Sequence, residues 1–194
     1  ANIMSLVVIG RESLPELEQM VSAKFSAVPD KSRQLQDIDV PLFEDGALPL
    51  QVNIQPEREQ RLLSIGFATP AVENYYRQKP LHYIGNIIGH EGEGSLLSYL
   101  KSRGWAEGLA AGEGLSYQGG SSFSVSIQLT QQGVAHSDEI VLALFQTIER
   151  IRQQGVTAWL FDEQGMLAQQ QFRYQEKFDP IHYVSSLSSR LQYY

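Results

Sequence analysis

The sequence predicts an α+β fold, a largely antiparallel sheet with helices packed on one face. Three observations carry this reading. Apolar residues alternate with polar ones over Leu50–Ile54, Leu63–Phe67 and Phe123–Leu129, the period of half-buried strands. Apolar residues recur at helical spacing over longer stretches, from Leu14 to Ala27, around Leu81–Ile88 and from Val134 to Ile151. Strand pairs separated by long helices, with no strict strand–helix alternation, favour antiparallel pairing.

The elements follow in order. Ile3–Ile9 is a short apolar run rich in β-branched residues, stopped by Gly10, and predicts a buried strand. Ser13 caps a helix that has Pro15 and Glu16 in its first turn and ends near Ala27. From Pro29 to Pro49 the periodicity lapses in an acidic stretch broken by Pro29, Pro41, Gly46 and Pro49, so residues 30–49 read as a linker. Leu50, Val52 and Ile54 form a strand closed by Pro56, and Leu63, Ile65 and Phe67 form the next.

A helix is predicted from about Asn74 to His90, stopped by the turn HEGEG. Ser95 then caps a short helix with Lys101 and Arg103 in its last turn and Gly104 just past its end. Leu109–Ser116 (LAAGEGLS) reads as a weak or exposed strand, and Phe123, Val125, Ile127 and Leu129 give the cleanest strand pattern. Thr130 caps a helix running through Val134, Val141, Leu144, Phe145, Ile148 and Ile151 to Gly155. From Thr157 onward the chain reads as helical, with a break at Asp179–Pro180. Tyr174, Tyr183, Tyr193 and Tyr194 read as core or interface residues.

Composition narrows the function. A net charge of −7 with scattered basic residues argues against a nucleic-acid partner. Cys is absent, which excludes disulfides and thiolate metal sites and leaves bacterial periplasm and cytoplasm equally open. No apolar run approaches the roughly 18 residues of a membrane span, so a soluble protein with no membrane partner is expected. The first residues, ANIMSLVVIG, enter a strand-like run without an initiating Met, which predicts a piece of a longer protein.

Chemistry is sparse. His136-Ser137-Asp138-Glu139 reproduces four places of the inverted zinc motif His-x-x-Glu-His, but Ile140 stands where the second histidine belongs. A polar first helical turn explains those residues better. His90-Glu91-Gly92-Glu93 suits a turn, and no nucleophile elbow, phosphate loop or dinucleotide fingerprint occurs. No catalytic or metal-ligating residue is therefore assigned. The unusual feature is the helix carrying Leu81–Gly89. At about 100° per residue, Leu81, Ile84, Ile87 and Ile88 gather on one side and His82, Gly85, Asn86 and Gly89 on the other. Interior glycine costs a helix roughly 1 kcal/mol relative to alanine, so two on one face predict that something approaches this backbone closely. Either another element of the chain packs there, or the face docks a ligand or peptide.

GRESLPEL at 10–17, HYIGNIIGHEGEGSLLSYLKSRGW at 82–105, the strand ending in Leu129-Thr130 and FRYQEK at 172–177 resemble the pitrilysin/insulysin family of inverted-motif zinc metallopeptidases. Gly89-His90-Glu91-Gly92-x-Gly94-Ser95-Leu96 is the most specific part and leans toward the insulysin branch. The resemblance implies a mitochondrial-processing-peptidase-like metallopeptidase domain. It also implies that residues 1–29 are the terminal strand and helix of a preceding catalytic domain, and that 50–194 are a non-catalytic αβ domain lining the substrate chamber. Zinc is expected in the full-length parent and in no part of this chain, which is expected to be inactive by itself.

The resemblance further implies a substrate-binding exosite. His82, Gly85, Gly89 and Leu109 match its pattern, whereas Asn86 and Ala111 replace a histidine and a glycine. Expected partners are peptide substrates, the remaining domains of the parent protease and, through the strand at 3–9, a second copy of the chain. The alternative is a binding or structural homologue whose parent has lost the zinc motif.

Overall fold

Val125 and Ile127 have no exposed surface, Phe123 and Leu129 almost none, and the rest of the principal core is built around them. They lie on β3 (Gly120–Leu129), the central strand of a three-stranded antiparallel sheet in the order β1-β3-β2. Its partners are β1 (Leu62–Thr69) and β2 (Ala106–Tyr117). The computed structural model describes residues 2–36 and 38–191. These fall into two compact units, Ile38–Ala168 and the pair Ala1–Asp37 with Gln169–Tyr194.

In the unit Ile38–Ala168, register fixes which side of each strand meets the core. Ile127 stands between Leu63 and Leu109, Val125 between Ile65 and Ala111, and Phe123 between Phe67 and Glu113. Helices α2 (Pro80–Ile88), α3 (Leu96–Ser102) and α5 (Ser137–Gln154) supply Ile88, Leu97, Leu100, Ile140 and Leu144, all essentially fully buried. Each such side chain contributes about 1.5–3 kcal/mol of transfer free energy, so this cluster dominates the stability of the unit.

The predicted caps are present where the sequence places them. The Ser95 hydroxyl accepts from the Ser98 N–H at 3.1 Å, and Gly104 has φ +71° just past α3. Thr130 joins three segments. Its N–H donates to the Trp105 carbonyl at 3.0 Å, while its hydroxyl donates to the Gly104 carbonyl at 2.6 Å and accepts from the Gly133 N–H at 2.9 Å. That connection draws the one-turn helix α4 (Gln131–Val134) onto the start of β2.

The second unit holds α1 (Leu14–Phe25) and α7 (Pro180–Arg190); α6 (Ala158–Arg173) begins in the first unit and ends in the second. The Glu16 carboxylate accepts from the Ser13 hydroxyl at 2.7 Å and the Ser13 N–H at 2.8 Å, which fixes the start of α1. The Asp179 carboxylate accepts from the Ile181 N–H at 3.0 Å, so the predicted break at Asp179–Pro180 becomes the start of α7.

Several expectations need correction. Residues 3–9 and 50–55 are not strands. Leu50, Val52 and Ile54 are 73%, 67% and 82% exposed. Alternation marks a segment that has an apolar face, but a strand also needs a neighbouring edge for its N–H and C=O groups, and the described residues give neither segment one. The helix expected from Asn74 begins only at Pro80, preceded by one 3₁₀ turn at Glu73–Tyr75, because a residue before proline is forced out of the helical region. Lys79 takes φ +47° there. The helix after Thr130 is two helices, α4 and α5, separated at Ala135–His136. Val134 is consequently exposed and Ile140 is the buried residue of the first α5 turn. Tyr174 and Tyr183 are exposed, so of the two expected roles, core or interface, the core is excluded, and Tyr193 and Tyr194 lie outside the described residues.

A β-carbon at Gly133 would stand 1.9 Å from the Trp105 carbonyl oxygen. Gly133→Ala should therefore destabilise the protein by about 1–3 kcal/mol, because backbone must move apart and the helical gain of alanine is smaller. Urea unfolding followed by circular dichroism measures this; an unchanged midpoint would contradict the packing described.

Candidate functional site

α2 sits on β2 with its glycines inward. A β-carbon at Gly85 would lie 3.1 Å from the Ala111 carbonyl oxygen and 3.3 Å from the Gly112 α-carbon. One at Gly89 would lie 3.8 Å from the Ala111 nitrogen. The close approach predicted from these glycines therefore exists, and the backbone that makes it is the chain's own strand β2. Gly85 is buried, while His82 and Asn86 on neighbouring positions of α2 stay exposed.

The sequence-predicted residues divide accordingly. Gly85, Gly89 and Ala111 come together where α2 meets β2. Leu109 is buried and faces the core opposite Ile127. His82 and Asn86 flank this contact from outside, and the Asn86 amide donates to the His82 carbonyl at 2.9 Å and to the Gln164 side-chain oxygen at 3.2 Å. Asn86 thus ties α2 to α6. The Tyr83 hydroxyl, which accepts from the Thr157 N–H at 3.0 Å, secures the same junction.

β2 pairs with β3 on one side only among the described residues. Its register slips between Glu113 and Ser116, where the Ser122 hydroxyl accepts from the Leu115 N–H at 2.9 Å. Glu113, Gly114 and Leu115 are exposed beside this irregularity. The hairpin tip beyond is held by residues 38–40: the Tyr117 hydroxyl donates to the Val40 carbonyl at 2.6 Å, and the Ile38 N–H donates to the Gln118 side chain at 2.8 Å.

Sequence reasoning missed the sheet's second face. Opposite the core row, register places Ser64, Gly66 and Ala68 of β1 beside Ser126, Ser124 and Ser122 of β3, with Ala110 and Gly112 of β2 completing the rows. No atom lies within 4 Å of a β-carbon placed on Gly66 or Gly112. The result is a shallow, hydroxyl-bearing surface of small residues. Its signal, small residues at period two, is present in the sequence but reads there as weak strand propensity.

The histidine motifs resolve into structural roles. The His136 ring stacks on Trp105 at 4.7 Å between centroids and meets the Glu139 carboxylate at 3.2 Å. A β-carbon at Gly92 would meet the His90 ring at 2.5 Å, so Gly92 leaves room for it in the turn. Among the described residues no group of three or more His, Asp and Glu side chains is placed to hold a metal ion, and no helix is long and apolar enough to cross a membrane.

An antiparallel sheet with helices packed on it is the fold that the resemblance to pitrilysin/insulysin-type peptidases implies. Residues 1–165 match the family model described as the peptidase M16 inactive domain, and the chain belongs to that family. It is 38% identical over 192 residues to insulin-degrading enzyme of Drosophila melanogaster and 37% identical over 194 residues to that of Homo sapiens. It is 35% identical over 205 residues to nardilysin of Rattus norvegicus. These alignments cover 99%, 100% and 100% of this chain but only 19%, 19% and 17% of the relatives. The crystal structure of pitrilysin superposes with a TM-score of 0.80 at 26% identity, over 94% of this chain and 20% of that one.

The Glu139 carboxyl is held below its ordinary 4.5, chiefly by backbone N–H donation in the first turn of α5 and then by the His136 ring. A carboxylate with a lowered folded-state pKa stabilises the fold fully above its unfolded value, and that contribution disappears as pH falls through the folded value. Thermal melts across an acid titration should show wild type losing an increment below pH 4.5 that Glu139→Gln does not lose. Parallel losses would contradict the assigned role of the His136–Glu139 turn.

Proposed function

We propose that the chain is the non-catalytic, substrate-binding segment of an inverted-motif zinc metalloendopeptidase that degrades peptides. The observation that carries this reading is the unshared side of β2, the strand against which α2, with its exposed His82 and Asn86, packs. An extended peptide adds to such an edge through backbone hydrogen bonds. Gly85 lets α2 lie close to the strand, Gly89 and Ala111 keep the groove shallow, and Leu109 anchors the strand in the core. Zinc and the catalytic groups belong to the parent protein, outside this chain.

On this reading, residues 1–29 are the end of the catalytic domain, 30–49 a linker and 50–194 the domain lining the chamber. The exposed apolar side chains of Ile3, Met4, Leu6, Val8 and Ile9 support it, because such a segment needs a foreign sheet to bury it. The parent's own sheet, or a second copy of this chain, supplies that partner.

The test is titration of a fluorescent extended peptide into wild type, Asn86→Leu and Gly89→Leu. Leucine at 86 projects from an exposed position. At 89 its β-carbon must clear the Gly85 carbonyl oxygen, 2.8 Å away, so melting temperature is measured in parallel. Both variants should bind about tenfold more weakly, with Asn86→Leu melting only slightly earlier through loss of its exposed hydrogen bond to Gln164; equal binding by all three proteins would contradict the proposal.

A further inference from the structure

A recess of about 380 Å³ opens between the turn before α2 and the middle of α6. Its floor is aromatic, with the Tyr83 and Phe161 rings 6.1 Å apart. Its rim carries Arg77, Lys79 and His82, while Gln164 supplies an amide. No carboxylate lines it. For a chain of net charge −7, three basic side chains around one recess without an acid are a marked local reversal.

The positions of these groups are constrained. Lys79 holds a left-handed φ of +47°, one of two non-glycine residues among those described to do so, and no ion pair or hydrogen bond engages its ammonium. Strained backbone of this kind persists only where the surroundings hold it, and it gathers at binding sites. The Arg77 guanidinium lies 5.5 Å from the Tyr76 ring centroid and donates to the Tyr76 hydroxyl at 3.1 Å, which limits its freedom. His82 lines this recess and stands on the exposed side of α2, the helix whose Gly85 packs on β2.

We infer that this recess recognises an acidic residue of the bound peptide, its carboxylate met by Lys79 and Arg77 and its apolar neighbour resting on Phe161. The inference deepens the peptide-binding reading and rests on it. Two features select this occupant: charge complementarity of the rim, and the position of the rim on α2, the helix that packs on β2. A carboxylate held by two cations gains charge-assisted hydrogen bonds that an amide of the same shape cannot form.

The experiment compares two extended peptides that differ by one Glu-to-Gln replacement, titrated into the full 194-residue chain and into the double variant Arg77→Gln/Lys79→Asn. Asparagine tolerates the left-handed conformation, so the backbone is retained. Wild type should prefer the acidic peptide by about tenfold or more, and the double variant should bind both alike, as loss of a charged hydrogen bond predicts. Equal affinity of wild type for the two peptides overturns the inference and leaves the strand-edge reading standing. Persistence of the preference in the double variant also overturns it, by moving recognition elsewhere. If wild type binds neither peptide, both readings fall. If millimolar inorganic phosphate perturbs the recess in NMR spectra while the peptides do not, the site belongs to a free anion and the inference is wrong.

Discussion

The contact of Gly85 with the backbone of Ala111 and Gly112 is the constraint on which the rest of the candidate site depends. With a hydrogen in place of a side chain, α2 approaches to within 3.1–3.3 Å of β2, measured from where a β-carbon would stand. That approach seats Leu81 and Ile88 in the core and leaves His82 and Asn86 on the outer surface. A β-carbon at 85 would require helix and strand to part by a few tenths of an ångström, and a larger side chain by more. The helical cost of glycine, roughly 1 kcal/mol, is offset by the packing it permits.

The helix also connects the sheet to α6. Asn86 reaches Gln164, and Tyr83 reaches the N–H of Thr157 just before α6 begins. Strand edge, outer helix face and aromatic recess are therefore fixed by one nine-residue helix, α2. On the proposed reading, the work of this domain is recognition. The sheet's open face of serine, glycine and alanine has little relief. On that reading, the strand edge and the recess supply the directional hydrogen bonds and charges that hold a peptide.

Much of this was legible in the sequence wherever the information is local. Ser95, Gly104, Thr130, Gly155 and Asp179 mark helix ends by their own chemistry, and the alternation from Phe123 to Leu129 marks a strand with one buried face. What failed was non-local. Ile3–Ile9 and Leu50–Ile54 carry strand patterns, yet a pattern within one segment cannot say whether an edge awaits it. The clash that keeps Gly133 a glycine and the stacking of His136 at the α4–α5 break both involve Trp105, nearly thirty residues earlier in the chain. The glycine face of α2 was legible as a demand for close approach, but its neighbour was not. The Arg77–Lys79–His82 rim was invisible because its aromatic floor combines Tyr83 with Phe161 from a distant helix.

The relatives span far more sequence than this chain, which corresponds to about a fifth of insulin-degrading enzyme. On the proposed reading, the exposed apolar residues at 3–9 and 50–54 meet other parts of a larger protein. Amide hydrogen exchange of the chain with and without a saturating extended peptide tests the central claim, that β2's unshared edge receives substrate. The account predicts slowed exchange for amides of Leu109–Leu115 that do not bond to β3, with β1 unchanged. Protection confined to β1, or none along β2, would contradict it.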